Sequence, residues 1–131
     1  MDVGCCTMDM FQPIAMKAPP GDVPEGMKVT SLADPNDLRS AGSNPALAVG
    51  GFTLWPMSYY DNRVSFGMVM YAPNGKIVGT KEKPGARYVT QITKQGRDPD
   101  GTVVFTGQGN QSVSLTCMEI YELMTGTQSE K

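Results

Sequence analysis

Arg63-Val64-Ser65-Phe66-Gly67-Met68-Val69-Met70-Tyr71 is the stretch on which the fold class turns. Val64, Phe66, Met68 and Met70 are apolar and fall at every second position, with Arg63, Ser65 and Gly67 between them. Strand side chains alternate between two faces, so this period of two predicts a β-strand with those four residues in a core. Ala72-Pro73-Asn74-Gly75 follows at once. Proline presets φ and Asn-Gly tolerates positive φ, so the chain is expected to reverse there and return as a hairpin.

The same arrangement recurs on both sides. Phe52–Met57 reads as a strand that Pro56 places at an edge or a bulge, and Tyr59–Asn62 turns it into the central one. Lys76–Thr80, Arg87–Thr93, Thr102–Thr106 and Ser112–Ile120 read as further strands. Lys83-Pro84-Gly85, Asp98-Pro99-Asp100-Gly101 and Gly107-Gln108-Gly109-Asn110 supply the turns between them. Tyr121–Met124 either continues the last strand or opens a helical turn that Gly126 ends. Residues 51–124 are therefore expected to form one all-β domain, an antiparallel six-stranded meander closed as a small barrel or a sandwich. The barrel is preferred because closure removes exposed strand edges. Residues 125–131 are a tail.

Residues 1–50 read differently. Pro13, Pro19, Pro20, Pro24, Pro35 and Pro45 lie here, with no sustained period of 2 or 3.6. Phe11–Met16 can be a short edge strand, the one sheet position where Pro13 is tolerated. One short helix is predicted near 34–41, with Asp34 as cap, Pro35 in its first turn and Gly42 as its stop. The segment is expected to be an extended, Pro-rich arm, separated from the β domain by Gly50-Gly51. Phe11, Ile14, Met16, Met27 and Leu32 are its apolar anchors, and Phe11–Gly26 fully extended reaches roughly 45–50 Å. A small domain has little apolar surface to spare, so the arm is expected to dock on a neighbouring subunit.

Composition narrows the function classes. The 131 residues carry a formal charge of −2, and 11 Lys and Arg are scattered along the chain, which argues against a nucleic-acid partner. No apolar run is long enough to span a membrane. The N-terminus has neither a charged nor an apolar signal region, so a cytoplasmic setting or a macromolecular assembly is expected. Cys5, Cys6 and Cys117 are read as reduced thiols, because the adjacent pair rarely bridges itself. Five of the 10 methionines precede residue 28, a residue type suited to adaptable packing surfaces.

The chain contains no histidine. That removes the commonest general base, the commonest metal ligand and every Ser-His or Cys-His pair. No C-x-x-C spacing is present for zinc, and Asp98 with Asp100 reads as a turn before it reads as a calcium site. No catalytic residue, metal or cofactor is assigned. The densest functional cluster is Trp55, Tyr59, Tyr60, Asp61 and Arg63, at a strand–turn–strand junction. Rings that stack and planar groups that bond in pairs suit a sugar or aromatic ligand, and equally a protein-interface anchor. A third reading is an aromatic corner at one end of the fold, with Arg63 paired to Asp61. The first expectation is thus a non-enzymatic structural or assembly protein whose partner is protein, self or a larger complex. The alternative is a monomeric β-barrel that binds a small molecule or glycan at its mouth.

Overall fold

A computed structural model of the chain describes residues 7–29, 44–97 and 100–126. Its strands are β1 (Phe11–Met16), β2 (Met27–Val29), β3 (Asn44–Val49), β4 (Phe52–Tyr59), β5 (Ser65–Tyr71), β6 (Ile77–Pro84), β7 (Gln91–Gln95), β8 (Thr102–Thr106) and β9 (Ser112–Thr116), followed by helix α1 (Cys117–Thr125). One sheet runs β1-β3-β4-β5-β6, with β2 paired to β4, and a smaller one runs β7-β8-β9. Every pairing is antiparallel. The fold is mostly β, as the alternation predicts.

β5 is the centre of the large sheet, and all seven of its residues are buried. Phe66, Met68 and Met70 face a core that they share with Leu54, Phe105 and Leu115 of both sheets and with Ile120 and Leu123 of α1. Val69 and Tyr71 face the other way, into a second core with Ala46, Trp55 and Met57. Val64 corrects the expectation of a fourth core residue, since it is 47% exposed. Strand pairing begins only at Ser65, and Val64 lies in the preceding loop, where its carbonyl accepts the Gly85 N–H. The turn after β5 forms as predicted: the Gly75 N–H donates to the Ala72 carbonyl at 2.9 Å, and Asn74 Oδ1 accepts from the Lys76 N–H at 3.0 Å.

The six strands expected between residues 51 and 124 are present, but they do not make one meander and do not close into a barrel. β4-β5-β6 and β7-β8-β9 are separate meanders, and β6 is not paired with β7. The break lies at Gly85–Thr90. Tyr88 adopts φ 54, a left-handed conformation that no strand can contain, while Ala86 and Val89 sink into the main core. Pairing therefore starts at Gln91, four residues later than the predicted Arg87. The two sheets instead face each other across the main core.

The last strand also ends early. Thr116 leaves it to cap α1: its Oγ1 accepts the Glu119 N–H at 3.0 Å, and Glu119 Oε1 accepts the Thr116 N–H at 2.9 Å. Gly126, at φ 75, closes the helix by donating its N–H to the Glu122 carbonyl. Glu119 also faces Lys83 at 3.4 Å and Lys81 at 3.7 Å on β6. Burial alone would raise its carboxyl, but the Thr116 N–H and the two ammonium groups hold it below the usual range. The stability this carboxylate adds is full above its ordinary value of 4.5 and is lost as pH falls through the lower folded value. Thermal midpoints of wild type and Glu119→Gln are expected to diverge above that point and converge in acid. Thr116→Ala should cost about 1 kcal/mol by denaturant titration.

The segment expected to be an arm contributes β1, β2 and β3 to the large sheet. Gly50 and Gly51, at φ 53 and 93, turn β3 into β4, so no boundary falls there. β1 pairs with β3 over six residues and sits at the sheet edge, which is why Pro13 fits. Phe11 is buried in the main core, and Ile14, Met16 and Met27 pack against the second core of the same chain. These four anchors therefore have receiving sites in cis, which corrects the docking expected for them. Leu32, the helix expected near 34–41, Cys5, Cys6, the turn residues Asp98 and Pro99, and most of the tail lie outside the described residues. Cys117 is buried and disulfide-bonded, a correction to the reduced thiol expected there. Adjacency of Cys5 and Cys6 disfavours only their mutual bridge.

Between β1 and β2, residues 17–26 form a strap. The Tyr71 hydroxyl donates to the Asp22 carbonyl at 2.7 Å, and Asn44 Nδ2 donates to the Lys17 carbonyl at 2.9 Å. Burial, and then the Asp22 carboxylate, push the Tyr71 hydroxyl up to about 12. Its contribution to stability is full below the ordinary value of 10.0 and is lost as pH rises through the folded value. Tyr71→Phe is expected to cost about 1 kcal/mol and to speed amide exchange in residues 17–26.

Candidate functional site

The predicted cluster divides along β4 and the hairpin that follows it. Side chains alternate across the strand, so Trp55, Met57 and Tyr59 share the outer face of the large sheet while Leu54 faces the main core. Trp55 is fully buried in the second core and takes no part in a surface site. The remaining members divide into two arrays on opposite sides of the β4–β5 hairpin.

The outer array is built on Tyr59. β2 brings Met27 opposite Tyr59, and both side chains lie over Gly67 of β5, where an added Cβ would come within 2.9 Å of Met27 and 3.1 Å of the Tyr59 hydroxyl. The Arg63 guanidinium stacks on the Tyr59 ring at 4.0 Å from its centroid. Arg63 donates through Nη2 to Asp61 Oδ2 at 2.6 Å and through Nε to Oδ1 at 3.0 Å, and its backbone N–H donates to Oδ1 at 3.1 Å. The pairing of Arg63 with Asp61 is the one the sequence suggests. Glu82 on β6 completes the array, accepting from Arg63 Nη1 at 3.3 Å and from the Ser65 hydroxyl at 2.7 Å.

The charges follow from these contacts. The hydrogen bonds from Arg63 hold the Asp61 carboxyl below the usual range. Burial, with the Glu82 carboxylate second, raises the Tyr59 hydroxyl, so the ring stays neutral at any ordinary pH. Arg63 is thus saturated by two carboxylates and a ring, which fixes the loop without leaving a free cation.

Tyr60 lies in the second array, 69% exposed. The Lys28 ammonium stands 5.5 Å from its ring centroid and 5.4 Å from that of Tyr88. The Tyr60 N–H donates to the Gly26 carbonyl at 3.0 Å, which ties the end of β4 to the start of β2. Arg87, next to Tyr88, donates through Nη2 to the Asn62 carbonyl at 2.5 Å. Tyr88 meets Lys28 from a left-handed backbone, at φ 54.

Sequence reasoning missed Lys28, Glu82, Arg87 and Tyr88. Glu82 could have been found from register, since the Ala72–Gly75 turn sets which β6 residues oppose β5. Nothing local marks Lys28 or Tyr88, which come from segments far away along the chain. Among the described residues no three His, Cys, Asp or Glu side chains gather where they could hold a metal ion. No described helix is long and apolar enough to cross a membrane. No protein-family model, curated protein or solved structure matches the chain. The geometry itself defines the class: a small, mostly β chain with a braced aromatic and ionic hairpin at one end.

Proposed function

We propose that the chain is a non-enzymatic structural or assembly protein that docks on protein, a second copy or a neighbouring subunit, through the β4–β5 hairpin. The observation that carries this reading is Tyr60, a large ring 69% exposed with the Lys28 ammonium 5.5 Å from its centroid. Tyrosine gives a large contact area for few rotatable bonds, and Tyr and Arg are common anchors of interfaces. Val64, 47% exposed in the same hairpin loop, adds apolar area. On the other side of the hairpin Asp61 and Glu82 share the one Arg63 guanidinium, which leaves a single net negative charge there. The N-terminal strands pair within their own chain, so the hairpin replaces the arm as the docking element in this reading.

Tyr60→Ala should weaken association by about 2 kcal/mol, roughly thirtyfold in Kd. Both Tyr60→Ala and Val64→Asp leave the cores untouched, so each should keep the wild-type thermal midpoint. Sedimentation velocity over a concentration series reads the effect. Association that survives both changes would place the interface elsewhere.

A further inference from the structure

Beyond the hairpin, and independently of the docking reading, three buried polar side-chain atoms on β4 find no partner among the described residues, those of Thr53, Trp55 and Ser58, and the first two lie on the outer face of the sheet. Trp55 is fully buried in the second core, and its Nε1–H has no acceptor among the described residues. The Thr53 hydroxyl oxygen is buried and also has no partner. Two residues apart on one strand, they point to the same face, about 7 Å apart at their Cα atoms. Buried donors of this kind are almost always paired, with protein, with water or with a ligand. Trp Nε1 can only donate, whereas a threonine hydroxyl can donate or accept.

The surroundings say what would complete the pair. The second core is apolar, lined by Met57, Val69 and Tyr71 and flanked by Met16 and Met27. Asp22 stands at its Tyr71 end, so an anion there would be both desolvated and repelled. Met16 and Met27 are only partly buried and stand at the two ends of the strap formed by residues 17–26. Their unbranched side chains can swing aside without moving the backbone.

We propose that this outer-face core binds a small, neutral, largely apolar molecule bearing one carbonyl oxygen, which accepts the Trp55 Nε1–H and the Thr53 hydroxyl. Entry is past Met16 or Met27, under the strap. The site is separate from Tyr59, Tyr60 and Arg63, which face the rim.

The chain has a single tryptophan, so Trp55 reports on its own site. The full-length protein, labelled with nitrogen-15, is titrated with 2-nonanone and, separately, with nonane. The ketone is expected to change Trp55 fluorescence saturably at one equivalent and to move the indole N–H resonance downfield as it gains an acceptor. Nonane should bind more weakly and leave that resonance in place. Thr53→Val, close in shape and conservative in volume, should weaken the ketone about fivefold and nonane not at all. Trp55→Phe would remove both reporters, so the Thr53 variant carries the test. Three outcomes would overturn the proposal: no saturable change, equal binding of both probes with a static indole resonance, or a bound-water cross-peak to the indole N–H that persists in excess ketone.

Discussion

Phe66→Ala is expected to destabilise the protein by about 3–5 kcal/mol, the cost of deleting a fully buried ring from a core that cannot collapse around the gap. Phe66 has no exposed surface, lies on the central strand, and belongs to the cluster that both sheets and α1 share. β5 is held on both sides, by β4 over six residue pairs and by β6 over seven. The backbone therefore has little freedom to move into the space. Gly107 lies against the same ring, where an added Cβ would come within 3.0 Å of its outer edge, so the loss reaches the β8–β9 turn as well. Since small domains have only about 5–15 kcal/mol in total, the variant should unfold far earlier in urea than wild type. An unchanged midpoint would mean that Phe66 is not a core residue.

A second large effect is expected at Gly79. On β6 it lies directly beneath α1, and a Cβ there would meet the Leu123 carbonyl oxygen at 2.5 Å and the Leu123 Cα at 3.1 Å. Both are backbone atoms and cannot rotate away. Gly79→Val must therefore lift the helix or bend the strand, with overpacking alone costing about 1–3 kcal/mol. Lifting α1 also withdraws Leu123 and Ile120 from the main core, about 1.5–3 kcal/mol for each that becomes exposed. Loss of helical signal with retained sheet signal in circular dichroism would show that the helix gives way first. A midpoint equal to that of wild type would contradict the close approach.

The sequence speaks clearly where one local rule acts alone. Period two identifies β5, Pro13 places β1 at an edge, and Pro73-Asn74-Gly75 marks its turn, because each signal is contained in a few adjacent residues. It misleads where two rules compete. Val113, Leu115 and Cys117 alternate as a strand should, yet Thr116 and Glu119 spell a capping box, and the cap wins at residue 117. Val64 keeps the alternation of β5 but falls one residue before its pairing begins.

Tertiary burial is the other thing that spacing hides. Trp55 and Tyr59 are four apart and look like one site, yet the second core takes the first and the rim keeps the other. That core was invisible because it needs β1, β2 and β3, whose proline content reads as an arm. Asp61 and Arg63 were legible as a pair because two residues separate neither their backbones nor their charges by much.

The proposed docking role of the hairpin can be tested at one residue. A photo-crosslinking amino acid placed at position 64, where Val64 stands exposed in the same hairpin loop as Tyr60, samples whatever covers the hairpin. With the same group at position 114, on the exposed face of β9, as a control, the account expects intersubunit or partner products from position 64 and none from the control. Products from position 64 should fall when Tyr60 is also changed to alanine. Irradiation that yields only uncrosslinked chain from position 64, at concentrations where the protein sediments as an oligomer, would contradict the assignment of the hairpin as the docking surface.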